Sequence, residues 1–273
     1  MKKIKLFQIL SLVGFVFLLS SNTFASDPSK ELVLQPEIKW SPLNPARGDK
    51  SPQAGQLWGD RTNQGPSGFL VKFADGFSSP PHIHNVTYRG VVISGLVHND
   101  DPKAENMWLP SGSFWTQPAG EAHITAAQGE HNIAYIEIED GPYLVQPESE
   151  AFDNGERPVN VDQSNLVWLN ASDVTWIDQA DGVKMAFLWG VPTDQTLNGS
   201  FIKFPANFSG KIENNGSDFR AIIVKGQAGY KGSSLNAGSY FGAVKPETHE
   251  ISSVEETVIY VRTNGTFRIS KNQ

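Results

Sequence analysis

From Leu32 onward, short apolar runs alternate with polar residues, and Gly, Pro, Asn and Asp separate one run from the next. Gly68-Phe-Leu-Val-Lys-Phe73, Gly90-Val-Val-Ile-Ser94 and Ile133-Ala-Tyr-Ile-Glu-Ile138 are examples. Branched and aromatic residues at period two, bounded by turn formers, predict β-strands. No stretch combines an apolar period near 3.6 with caps at both ends, so helices are expected to be few and short. Many short, evenly spaced strands predict an all-β sandwich or barrel.

The strand pattern occurs twice. Leu57-Trp58-Gly59 returns as Leu188-Trp189-Gly190, an offset of 131. The same offset pairs Gly68–Phe73 with Gly199–Phe204, Arg89 with Arg220 and Gly95 with Gly226. After a deletion, Gly112 pairs with Gly238 and His123 with His249 at offset 126. The division expected is a first unit over 26–150, a polar linker over 151–165 and a second unit over 166–273. Because both copies keep the arginine, Arg89 and Arg220 are read as structural.

The chain opens on Lys2, Lys3 and Lys5, then an apolar run from Leu6 to Leu19, then Thr23-Phe-Ala25. That order predicts a secretory signal over 1–25, cut before Ser26, and so a periplasmic or secreted protein with no membrane anchor after cleavage. No cysteine follows, which excludes a lipid anchor, a disulfide framework and thiolate ligands. Losing the three lysines takes the net charge from −7 to −10, against nucleic acid as a partner.

The candidate chemistry lies in Gly76-x5-His82-x-His84-x3-Tyr88-x6-Gly95 and in Gly112-x5-Pro118-x-Gly120-x2-His123. On a strand, residues two apart share a face, so His82 and His84 point the same way. Pro118 and Gly120 predict a tight turn that aims His123 back at them. An isolated His-x-His is more often a packed pair than a metal site; the turn and the glycine framework favour metal here.

These two stretches resemble the two signature motifs of the cupin superfamily, with two departures: Tyr88 stands where that pattern has Glu, and Ala127 where it has Asn. The resemblance implies two tandem jelly-roll barrels of the RmlC-like kind, as in exported bicupins of unknown function. It places His82, His84 and His123 at ligand positions for one divalent ion: iron, zinc, nickel or copper. Tyr88 is then expected to work beside the ion as a hydrogen-bond and proton donor, with Glu121 a minor candidate ligand. The implied function is dioxygenase-like chemistry on a small organic molecule. The alternatives are a non-catalytic binding or sensing module and metal-free catalysis by a His-Tyr pair. A homo-oligomer is left open.

At offset 131 the second copy carries Glu213, Asn215 and Phe219 at the His82, His84 and Tyr88 positions, so a degenerate unit with a structural role is expected. Trp108, Phe114 and Trp115 are candidates for pocket lining or core. His98 and His131 are expected on the surface or in loops, and Glu137 and Glu139 on a solvated face, with the alternative that Glu137, which shares parity with Tyr135, points inward as a general base.

Overall fold

The computed structural model describes residues 31–178, 182–193 and 195–272, so the leader-like segment lies outside the described residues. The chain is all-β. Its described helical segments are four 3-10 turns, the longest Pro45–Lys50. None is long and apolar enough to cross a membrane.

The first half forms an eight-stranded sheet. Its path runs Val159–Val161, Phe114–Gln117, Tyr88–Asp100, Ile124–Ile138, Ser67–Phe73, Gln53–Trp58 and Trp40–Pro42, with Leu109–Pro110 added beside Tyr88–Asp100. A two-stranded sheet, His82–His84 with Val145–Pro147, closes over it. The second half has sheets of seven and five strands. The chain also crosses between the halves. Leu32–Val33 pairs with Tyr240 and Phe241 in the second half, while Val159–Val161, from the stretch expected as linker, pairs with Phe114–Thr116 in the first.

Strand alternation builds three cores. Phe69, Val71 and Phe73 point into the first half, and Leu70, between them, points into a layer shared by both halves. Ile202 and Phe204 fill the second half while Phe201 joins the shared layer. Val91, Ile93 and Tyr135 meet Ile222, Val224 and Tyr260 there. Such strands are buried on both faces, which is why their apolar runs are nearly continuous.

The repeated residues now have a physical reason. Trp58 Nε1 donates to the Tyr135 hydroxyl at 3.1 Å, and Trp189 Nε1 to the Tyr260 hydroxyl at 2.9 Å. Gly68 and Gly199 lie under these indoles, where a Cβ would overlap the ring nitrogen. The arginines cross over: Arg89 sits 3.6 Å above the Trp189 ring, and Arg220 sits 4.8 Å above the Trp58 ring. Each copy thus places a cation on the other's tryptophan, a desolvated cation–π contact.

Glu137 departs from expectation. It is 1% exposed, in the shared layer. Its oxygens accept from Tyr135 at 3.0 Å and Tyr260 at 2.7 Å, and Arg262 lies 4.0 Å away. A single polar residue between Ile136 and Ile138 reads as solvent-facing only if the other face of the sheet is wet, and here a second sheet covers it. Glu139, two residues on, is half-exposed and pairs with Arg89 at 2.6 Å. His98 also departs: it is fully buried on Tyr88–Asp100, against the Met107 main chain. His131 is exposed, as expected.

Candidate metal centre

His82 and His84 share one face of a three-residue strand, with ring centroids 5.0 Å apart. The turn after Pro118 has Gly120 at φ +78°, a backbone conformation that glycine adopts without strain. That turn brings His123 opposite His82, where the two exchange main-chain hydrogen bonds at 3.1 and 3.0 Å. The His123 ring then lies 4.3 Å from His82 and 5.2 Å from His84. All three side chains are buried, and their ligand atoms lie within 4.8 Å of one another.

The rings are oriented from behind. His82 Nδ1 lies 2.9 Å from the Pro80 carbonyl, His84 Nδ1 2.9 Å from that of Leu144, and His123 Nδ1 3.1 Å from that of Glu121. A carbonyl only accepts, so each Nδ1 carries the proton and each Nε2 turns a lone pair inward. Metal-binding histidines are fixed in this way. Burial is the main cause that lowers the tendency of all three to protonate, His84 well below the usual imidazole range and His123 to about 3. The result is three neutral donors, the set a divalent ion requires.

Two nitrogens about 2.1 Å from one tetrahedral ion stand about 3.4 Å apart. The triad, whose ligand atoms lie within 4.8 Å of one another, would therefore draw in by roughly 1.4 Å at its widest to share an ion. The residues fit an ion. Among the described residues no carboxylate joins this group. Glu121 contributes its main-chain oxygen as an acceptor for His123 and Gln117.

Tyr88 is 2% exposed, its hydroxyl 2.8 Å from Asn99 Oδ1 and 3.4 Å from His123 Nε2. Asn99 is fixed in turn by Thr125 and Gln117, each at 2.8 Å. Burial raises the Tyr88 pKa above that of a free phenol, outweighing its polar neighbours. Its proton goes to Asn99 Oδ1.

The second tyrosine, Tyr143, was not singled out by the sequence. It stacks on His84 with centroids 4.3 Å apart, and its hydroxyl lies 3.0 Å from His84 Nε2. With the two rings within 21° of parallel, that hydroxyl lies over the face of the imidazole and not along its in-plane lone pair, which stays free for an ion. Tyr143→Phe is therefore expected to leave ion affinity unchanged, and competition against a chromophoric chelator measures this. A severalfold change in either direction would make the phenol part of the ion's surroundings.

A cavity of about 300 Å³ is lined by His82 and His84 of the triad, by Leu43, Val71, Phe73, Phe77 and Ile136, and by Tyr88 and Trp115. Trp115 thus lines the cavity, Phe114 belongs to the shared layer, and Trp108 packs against His98.

Among its described residues the second half lacks this chemistry. Ile212 pairs with His249 as His82 pairs with His123, so the sequence offset slips by one here, and Ile212 and Asn214 take the histidine positions. A one-residue slip exchanges the faces of a strand. It turns Glu213 away, where it pairs with Lys211 at 2.8 Å. His249 is buried under Phe219, Phe241 and Tyr230.

A family model described as a domain of unknown function (DUF4437) matches residues 31–270. Direct comparison with curated proteins returns no match. Similar solved structures include a candidate dioxygenase from Nostoc punctiforme, with a TM-score of 0.61, 14% identity, and coverage of 82% of this chain and 78% of that one. An oxalate decarboxylase from Lactobacillus farciminis has a TM-score of 0.58 at 12% identity, covering 89% and 88%. A quercetin 2,3-dioxygenase from Acinetobacter baumannii has a TM-score of 0.54 at 13% identity, covering 86% and 83%. At such identities the likeness shows a shared all-β fold and nothing of the activity.

Proposed function

The chain belongs to the DUF4437 family, and on that premise we propose that its first half is a mononuclear metal site of dioxygenase-like function, acting on a small organic molecule. The observation that carries this reading is the set of three buried imidazoles, each pinned through Nδ1 to a main-chain carbonyl, two of which, His82 and His84, line an apolar cavity. The dioxygenases among the similar structures support it. When bound, a divalent ion would supply Lewis acidity and, if it is iron, redox chemistry. Iron, zinc, nickel and copper all suit three imidazoles.

The chain's own residues would do the rest. His82, His84 and His123 hold the ion, and the apolar walls exclude water from it. Tyr88, whose hydroxyl donates to Asn99 Oδ1 at 2.8 Å, faces the same space, and it would turn that proton from Asn99 to a substrate oxygen during turnover. The second half, without a ligand set, serves as the support for the first. The leader-like pattern over 1–25 supports extending the proposal to a periplasmic or secreted protein.

Elemental analysis of protein purified without a histidine tag tests the centre, with close to one ion per chain expected. Ferrous-dependent oxygen uptake across a panel of small oxygenated compounds tests the enzyme, and tight zinc without uptake would favour the binding or sensing alternative. Tyr88→Phe is expected to keep the ion and lower turnover by about 100-fold, in the range of general acid catalysis. Turnover unchanged at full metal content would remove Tyr88 from the chemistry.

A further inference from the structure

Most arginines in the described residues face a carboxylate. Arg89 pairs with Glu139, Arg157 with Asp153, Arg220 and Arg262 with Asp218, and Arg268 with Asp178. Arg47 does not. It lies at the cavity, its guanidinium 5.8 Å from the centroid of the Phe77 ring. Among the residues that line the cavity it is the one with a permanent charge.

The segment that carries it is built. Asn44 caps the Pro45–Lys50 turns by accepting from Ala46 N at 3.1 Å, and Ser51 Oγ accepts from Asn44 N at 2.9 Å. Leu43 N donates to the Pro52 carbonyl at 2.8 Å, which ties the far end down. Arg47 therefore stands on an anchored rim, and its fork can turn from Phe77 towards the opening.

The walls below it are mostly aliphatic and aromatic, with Ser79, Thr125 and the Tyr88 and Tyr143 side chains among the few polar groups. A sugar or a small dianion would leave its polar groups against Leu43, Val71 and Phe73 without partners, at a cost of a few kcal/mol for each group. The space corresponds to roughly ten water molecules, enough for one substituted ring. The positive rim selects for a negative group at the outer end of such a ring.

Resting on the metal-site reading above and extending it, we infer that this cavity takes a small aromatic monocarboxylate, with its ring between the apolar walls and its carboxylate on Arg47. Arg47 is then the residue that determines specificity, since a guanidinium fork matches a carboxylate with two parallel hydrogen bonds.

The test uses the full chain, zinc-loaded, with ion content measured in every sample. Benzoate, phenylacetate and 1-naphthoate are titrated by calorimetry beside their amides, which keep the shape and lose the charge. At least one acid should bind at least tenfold more tightly than its amide. Arg47→Gln should remove that preference by weakening the acid at least tenfold, about 1.4 kcal/mol, with the amide and the zinc content unchanged. Arg47→Lys should fall between. Equal binding of acid and amide, or no binding by any of the three acids, overturns the inference. So does a preference that survives Arg47→Gln, which would put the carboxylate on the ion. A chain that holds no zinc defeats the metal reading separately, and the acid–amide comparison on that metal-free protein still decides the role of Arg47.

Discussion

His84→Ala is expected to empty the metal site, lowering ion content from close to one per chain to near zero. His84 is firmly seated: 2% exposed, stacked on Tyr143, and bonded through Nδ1 to the Leu144 carbonyl. Its removal leaves two imidazoles, and no carboxylate in the group replaces it. Changing residues that merely orient a ligand costs about 10- to 100-fold in affinity, so loss of a ligand itself should exceed the upper figure. The readout is metal content after reconstitution and desalting, with a thermal melt to show that the variant is folded. His249→Ala in the second half serves as the contrast, with ion content equal to the wild type. Should His84→Ala still retain a stoichiometric ion, the three-histidine centre is wrong.

That contrast also marks how far the sequence could be read. The period-two spacing of His82 and His84 fixes their common face, and the Pro118–Gly120 turn fixes where His123 arrives. Both are local rules, and both hold in the structure. The positions misplaced from sequence depend on neighbours far along the chain. Glu137 follows a strand rule that says nothing of what covers the sheet, and the covering strand carries Tyr260, 123 residues away. His98 is buried because Met107 and Trp108 fold over it. Tyr143 belongs to no motif, and only the pairing of Val145–Pro147 with His82–His84 brings it to the site. The slip that places Ile212 opposite His249 was invisible because Glu213 and Asn215 sit at the same offset as their correctly aligned neighbours.

The shared layer offers a second strong test, in the buried charges that join the halves. Glu137 and Arg262 occupy equivalent places in the two copies: Gly68 pairs with Glu137 as Gly199 pairs with Arg262. The duplication thus carries opposite charges at one position, and the two meet across the interface. Two copies with the same residue there would bury like charges, so this difference favours the pairing of one half with the other. Arg262 is 1% exposed and also meets Asp218. Burial pushes the Asp218 carboxyl up, but Arg262 and Arg220 outweigh it and hold the group below its ordinary value.

Arg262→Met is expected to destabilise the fold by about 3–5 kcal/mol, because it leaves Glu137 buried without its cation. For a chain of this size that corresponds to a fall in Tm of roughly 10 °C. The pH dependence gives the mechanism away. Burial already raises the Glu137 pKa above 4.5, and loss of Arg262, the first of the groups that oppose it, raises it further. A carboxyl with a raised folded pKa holds more protons folded than unfolded, so its contribution is fully present below about 4.5 and is lost as pH rises through the folded value. Arg262→Met should therefore lose more stability, relative to the wild type, at pH 8 than at pH 5. Adding Glu137→Gln should recover part of the loss and flatten that difference, since the amide can be buried without a charge. A melting temperature within about 2 °C of the wild type at both pH values would sink the argument. Ile136 lines the cavity, and Ile138 pairs with Tyr88, on either side of Glu137. The same variant should hold its ion less tightly, and metal content measured beside the melts would show whether the second half braces the site.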